Sequence, residues 1–69
     1  MRNIIAYLHL AGKRGVKIIR LDDIFREEIK PFFADIIKNG YHEDNRIYSV
    51  EYIEWHESPR QMSDFEFDL

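Results

Sequence analysis

The stretch LDDIFREEIKPFFADIIKNG, residues 21–40, constrains this chain more than any other. Phe25, Ile29, Phe32, Phe33, Ile36 and Ile37 recur at helical spacing and make one apolar stripe along a helix. Asp22 stands where an N-cap carboxylate accepts from the amides of a first turn, and Asn39-Gly40 supplies a C-terminal stop. Pro31 falls inside the pattern. It removes one backbone donor and crowds the carbonyl four residues back, so a kinked helix or a pair, 22–29 and 31–38, is expected. An apolar stripe must be buried against something, so the flanking segments decide the fold.

Before the helix, IIAYLHL (residues 4–10) fits two periods. As a strand, it places Ile4, Ala6, Leu8 and Leu10 on one face and Ile5, Tyr7 and His9 on the other. As a helix, it aligns Ile4, Tyr7, Leu8 and Ala11. Its β-branched and aromatic content favours the strand. AGKRG follows, with two glycines suited to a reversal, and then VKIIRL reads as a second strand. Residues 3–21 are therefore expected to form a β-hairpin with a loop of about five residues. After the helix, IYSVEYIEWH reads as a strand with Tyr48, Val50 and Tyr52 toward the core. Ile53 and Trp55 would then lie on the other face, exposed or covered by the tail.

Two architectures accommodate these elements. The leading one is a small single α+β domain. It has an N-terminal β-hairpin, a Pro-kinked central helix or helix pair, and a C-terminal strand completing a three-stranded antiparallel sheet. The alternative is a winged helix-turn-helix, with residues 3–11 helical, the broken helix as the helix-turn-helix, and a wing hairpin turning at Asp44-Asn45.

Sixty-nine residues bound what such a fold can bury. A chain this short hides only about 60% of the surface it exposes when unfolded. With no cysteine there is no disulfide to add, so the 45% hydrophobic content must form the core or be completed by a partner. The N-terminal apolar run is interrupted by His9, Lys13 and Arg14 and falls far short of the roughly 20 residues of a membrane span. The expectation is a cytoplasmic chain with no membrane association. Net charge is −3 and unevenly spread: all ten Lys and Arg and ten of the 13 acids lie in residues 1–60, while Asp64, Glu66 and Asp68 are the rest. A compact domain over 1–58 and an acidic-aromatic tail over 59–69 are expected.

The chemistry-bearing residues point away from catalysis. Asp22-Asp23, Glu27-Glu28 and Glu43-Asp44 are sequence neighbours, which on a helix diverge by about 100° and do not converge on one substrate atom. No nucleophile elbow or phosphate loop occurs. The expectation is a non-enzyme with no cofactor. His42 and His56 would meet only if their segments paired, and their spacing fits no ligand motif, so no metal is expected. Nucleic acid is a secondary expectation, tied to the winged-helix alternative as a DNA-binding transcriptional regulator through Lys30, Lys38 and Arg46. Asp35 on the same helix would repel phosphates.

Protein binding is the leading expectation. Five Phe, four Tyr and one Trp are more rings than so small a core can enclose, and exposed aromatics make binding hot spots. Phe32 and Phe33, adjacent on a helix, cannot both face one core line. In MSDFEFDL, Phe65, Phe67 and Leu69 alternate with Asp64, Glu66 and Asp68, a pattern able to add to a sheet edge or dock on a basic, apolar surface. QMSDF resembles the Gln-Leu-Ser-Leu-Phe type of peptide bound by bacterial sliding clamps, but Asp64 stands where that pattern has leucine. The chain thus reads as a small regulator or inhibitor of a larger intracellular protein, of the size a phage or mobile element encodes. Its contact residues would be Trp55, Asp64, Phe65, Glu66, Phe67, Asp68 and Leu69, and deleting 61–69 is expected to abolish binding. Self-association into a homo-oligomer is the third expectation.

Overall fold

Strict alternation governs the first strand. Ile4, Ala6, Leu8 and Leu10 are buried, while Ile5, Tyr7 and His9 between them are only half-buried. This is β1 (Arg2–Leu10), the central strand of a three-stranded antiparallel sheet in a computed structural model that describes residues 1–58. It turns through residues 11–15, including a 3-10 turn at Ala11–Lys13, into β2 (Val16–Ile24). The chain continues as α1 (Arg26–Asn39), then a small hairpin of β3 (Tyr41–Glu43) and β4 (Arg46–Tyr48). Finally β5 (Val50–Ser58) pairs with β1 on the side away from β2, giving the order β2-β1-β5. The class is α+β, with the hairpin and five-residue loop where the sequence places them.

The helix covers one face of the sheet. Ile29, Phe33 and Ile36, at spacings of four and three, join Ile4, Ala6, Leu8, Leu10 and Val50 in the core. Ile19, Leu21, Ile24, Tyr41, Tyr48 and Ile53 pack around it. Of the adjacent phenylalanines, Phe33 is buried and Phe32 is exposed. Ala6, the smallest side chain of the core, is fully buried at mid-sheet.

Four local expectations are corrected. The helix is continuous through Pro31, so there is neither a break nor a helix-turn-helix, and residues 2–10 are strand. The winged-helix alternative falls with them. Pro31 is tolerated because it stands on the exposed side in the second turn, where the missing donor leaves only the Glu27 carbonyl to water. Asp22 is not the N-cap: β2 runs on through it, its carboxylate accepts from Arg20 Nε at 2.9 Å, and Phe25 caps without a side-chain bond. The acids Glu27 and Glu28 favour that helix end instead.

The fourth correction concerns β5. IYSVEYIEWH is not one strand, because the chain crosses from the small sheet to the large one at Ser49, whose carbonyl accepts from the Ala11 amide at 2.9 Å. The register against β1 then slips: His9 faces Tyr52 but Leu10 faces Val50, leaving Glu51 as an extra residue. A bulge of one residue reverses the parity beyond it. Val50, Ile53 and Trp55 therefore lie on the helix side, and Tyr52 on the opposite one. A second bulge, near Asp22-Asp23, leads β2 toward the helix; Asp23 takes a φ of 60° and its amide donates to Asn3 Oδ1 at 2.9 Å.

The β3–β4 hairpin turns at Asp44-Asn45, with Asp44 at φ 56°. One cation links it to the main sheet. Lys17 Nζ on β2 lies 2.7 Å from Glu43 Oε1 and 4.9 Å from the centre of the Tyr48 ring. The hydrogen bond to Glu43 holds the Lys17 ammonium above its ordinary value of 10.5. A raised pKa contributes stability that is complete below the ordinary value and lost as pH rises through the folded one. Stability of the native chain and of Lys17→Met, compared by urea unfolding, is expected to differ at pH 8, with the gap narrowing as pH rises beyond 10.5. A gap that stays constant through that range would show that Glu43 does not hold the charge.

Candidate functional site

Antiparallel register sorts the face opposite α1 into three rows. Arg20, Ile5 and His56 form one, Ile18, Tyr7 and Glu54 the next, and Val16, His9 and Tyr52 the third. The three-by-three grid carries five apolar or aromatic residues beside two histidines, one arginine and one glutamate. Val16, Ile18 and Tyr52 are exposed by 46%, 65% and 50%, in a protein whose other face is packed.

Its polar groups are organised by pairs running diagonally between β1 and β5. His9 Nε2 sits 2.7 Å from Glu54 Oε1, and the His9 ring stacks on Tyr52 with centroids 4.1 Å apart and planes 7° from parallel. Tyr7 Oη lies 3.2 Å from His56 Nε2. These contacts pre-set the rotamers of five side chains on the face, His9, Glu54, Tyr52, Tyr7 and His56, which lowers the entropy lost when a surface docks there. Arg20, ion-paired with Asp22, also donates to Ser58 Oγ at 3.4 Å and closes one end of the grid.

Among the described residues no strand pairs with the outer edge of β2 or of β5. β2 and β5 are each nine residues long, and the charges Lys17, Arg20, Asp22 and Asp23 on one and Glu51, Glu54 and Glu57 on the other blunt them against strand addition. Glu57 is itself ion-paired with Arg2.

Trp55, singled out from sequence, stands on the helix side at the outer edge of β5. Its ring is 6.1 Å from Phe33, and it is 41% exposed. Lys30 lies near it in the second turn of α1, Lys38 in the last turn, and Arg46 on β4. These three cations are spread over two elements with no recognition helix to collect them. Asp64, Phe65, Glu66, Phe67, Asp68 and Leu69 lie outside the described residues. No group of three His, Cys, Asp or Glu able to hold a metal occurs among the described residues. His42 approaches the Asn39 carbonyl at 3.3 Å, while His56 is far along β5, opposite Ile5. No helix among the described residues is long and apolar enough to cross a membrane.

Sequence reasoning did not single out Ile18, Tyr52 or the His9–Glu54 pair. Half of the signal was present, since the strand reading of residues 4–10 already set Ile5, Tyr7 and His9 together. The rest depends on the bulge at Glu51, which brings Tyr52 and Glu54 beside them. Compared with protein-family models, curated proteins and solved structures, the chain matches none.

Proposed function

We propose that this chain is a small non-enzymatic regulator or inhibitor that works by binding a larger intracellular protein. The open face of the sheet is its docking surface, and the acidic-aromatic tail is a second contact. One observation carries the reading: Val16, Ile18 and Tyr52 are exposed on the side of the sheet without a helix, around pre-set polar pairs. An apolar centre with polar groups among it is the anatomy of a protein interface.

Size favours a larger partner over a second copy on this face. Strands of nine residues at about 3.3 Å each, three abreast at about 4.8 Å, span roughly 30 by 14 Å. That is about 400 Å², half of the about 800 Å² each side of a standard interface buries. A larger protein reaches past the grid to its edges and to the tail. Openness supports binding over catalysis, because the His9–Glu54 and Tyr7–His56 pairs lie where water has access and screens them.

The test begins with capture from nuclease-treated cell extract, followed by calorimetry with the protein captured. Full-length Ile18→Glu/Tyr52→Ala is expected to bind at least about tenfold more weakly than the native chain. Ile47→Glu, a change at an equally exposed residue on the small hairpin (66%), is expected to bind unchanged. Equal affinity for the native chain and the Ile18/Tyr52 variant would remove the open face from the mechanism. Capture abolished by nuclease would replace the protein partner with a nucleic acid.

A further inference from the structure

A groove runs along the opposite side of the molecule, between the first turns of α1 and the outer edge of β5. Arg26, Glu27, Ile29, Lys30 and Trp55 line it. Ile29 is buried and forms its floor, and Trp55 forms an apolar wall. Arg26 and Lys30 make no ion pair among the described residues, and Glu27 is the one acid between them. The groove therefore offers an aromatic wall and two available cations.

Topology delivers the rest of the chain to this groove. Arg2 pairs with Ile24 and Asn3 with Ser58, so β2 ends and β5 ends at the same end of the sheet. The helix begins there, at Arg26. Trp55 is three residues before Ser58, about 10 Å back along the strand. Phe65 is seven residues after Ser58, a reach of roughly 23 Å when extended. The segment MSDFEFDL carries Phe65, Phe67 and Leu69 alternating with Asp64, Glu66 and Asp68, and no base.

We infer that the groove is the docking site of the chain's own residues 62–69. Phe65 and Phe67 lie against Trp55 and Ile29, and the acids answer Arg26 and Lys30. Charge complementarity gives the pairing its sense, since the groove has two bases to one acid and the segment has three acids to none. Tethering supplies the rest: a short linker holds the segment at an effective concentration of about a millimolar or more, which populates even a weak contact. In the free protein the tail is thus stored on the helix side, away from the open face. A partner that uses the tail must first lift it out. Only that last consequence rests on the proposed function; the contact itself does not.

Trp55 is the single tryptophan, so its fluorescence reports the groove directly in the full-length chain. Phe65→Ser/Phe67→Ser is expected to shift its emission to longer wavelength and raise acrylamide quenching about two-fold, as a ring that stacked on the indole is removed. Arg26→Glu/Lys30→Glu is expected to do the same. Adding Asp64→Lys/Glu66→Lys to that charge-reversed groove is expected to restore the native signal, which a general loss of folding cannot do. All signals should be independent of protein concentration. Unchanged emission in Phe65→Ser/Phe67→Ser overturns the inference, as does a charge swap that fails to restore. A signal that fades on dilution assigns the groove to a second copy instead. None of these readouts involves the open face or a partner, so their failure leaves the binding reading where it stands.

Discussion

Leu8→Ala is expected to lower the free energy of unfolding by about 3 kcal/mol, the mid-range for a fully buried leucine. Leu8 has no exposed surface and sits in the central strand, with Lys17 and Ile53 opposite it and the helix above. Its neighbours belong to a sheet held on both sides, so they cannot close over the cavity. A core in a chain this small rarely supplies more than about 3–5 kcal/mol, so the variant should be largely unfolded near body temperature. Ile18→Ala, on the opposite face of the same hairpin and 65% exposed, is expected to stay within about 0.5 kcal/mol of the native chain. Urea unfolding followed by circular dichroism measures both. Similar losses in the two variants would mean that something covers the open face in solution, or that the strand parity is reversed.

Gly40→Ala is expected to cost about 2–4 kcal/mol, combining a backbone conformation open mainly to glycine with overpacking. Gly40 has φ 87° and ψ 166°, and its amide donates to the Ile36 carbonyl at 2.7 Å as the helix ends. A Cβ there would come within 2.7 Å of Ile47 Cγ2 and 3.0 Å of the Tyr48 carbonyl oxygen. A side chain can swing away, but the carbonyl belongs to β4 and cannot move without carrying the small hairpin with it. Gly15→Ala separates the two contributions. It also has positive φ, 115°, yet a Cβ would meet nothing within 4 Å, so about 1–2 kcal/mol of conformational cost is expected alone. If both alanines cost the same, the hairpin gives way freely and Gly40 matters only for its dihedral angles.

Much of the covered side was legible in the chain. That Phe32 and Phe33 cannot share one core line follows from the roughly 100° between helical neighbours, and the structure makes Phe33 the buried one. The hairpin loop at residues 11–15 follows from its glycines. The turn at Asp44-Asn45 belongs, on sequence grounds, to the wing of the winged-helix alternative, and it occurs here between β3 and β4 instead. These are local preferences, and tertiary contacts reinforced them. Where they misled, a neighbouring element had changed the terms. Asp22 has good N-cap chemistry, but pairing with β1 extended the strand past it to Ile24. Pro31 disfavours a helix locally, but Ile29, Phe33 and Ile36 on the buried side hold both halves against one sheet.

The candidate site was less legible, because strand parity belongs to a pair of strands and not to one. Read singly, residues 47–55 put Tyr48, Val50 and Tyr52 on one side. Paired with β1, one unmatched residue at Glu51 sends Tyr52 to the open face and Ile53 and Trp55 to the helix side. That shift sets Tyr52 on His9 and Glu54 within reach of it, and it turns Trp55 into the wall of a groove.

By itself, then, the sequence determined that residues 21–40 carry a helical apolar stripe, that residues 4–10 have one apolar face if they are a strand, and that aromatic residues exceed the core's capacity. Those properties reside in spacing and composition along one chain. Only the tertiary structure decided which aromatics remain outside and what stands beside them, because a single bulge, chosen by pairing across strands 40 residues apart, reverses the direction of every side chain that follows it.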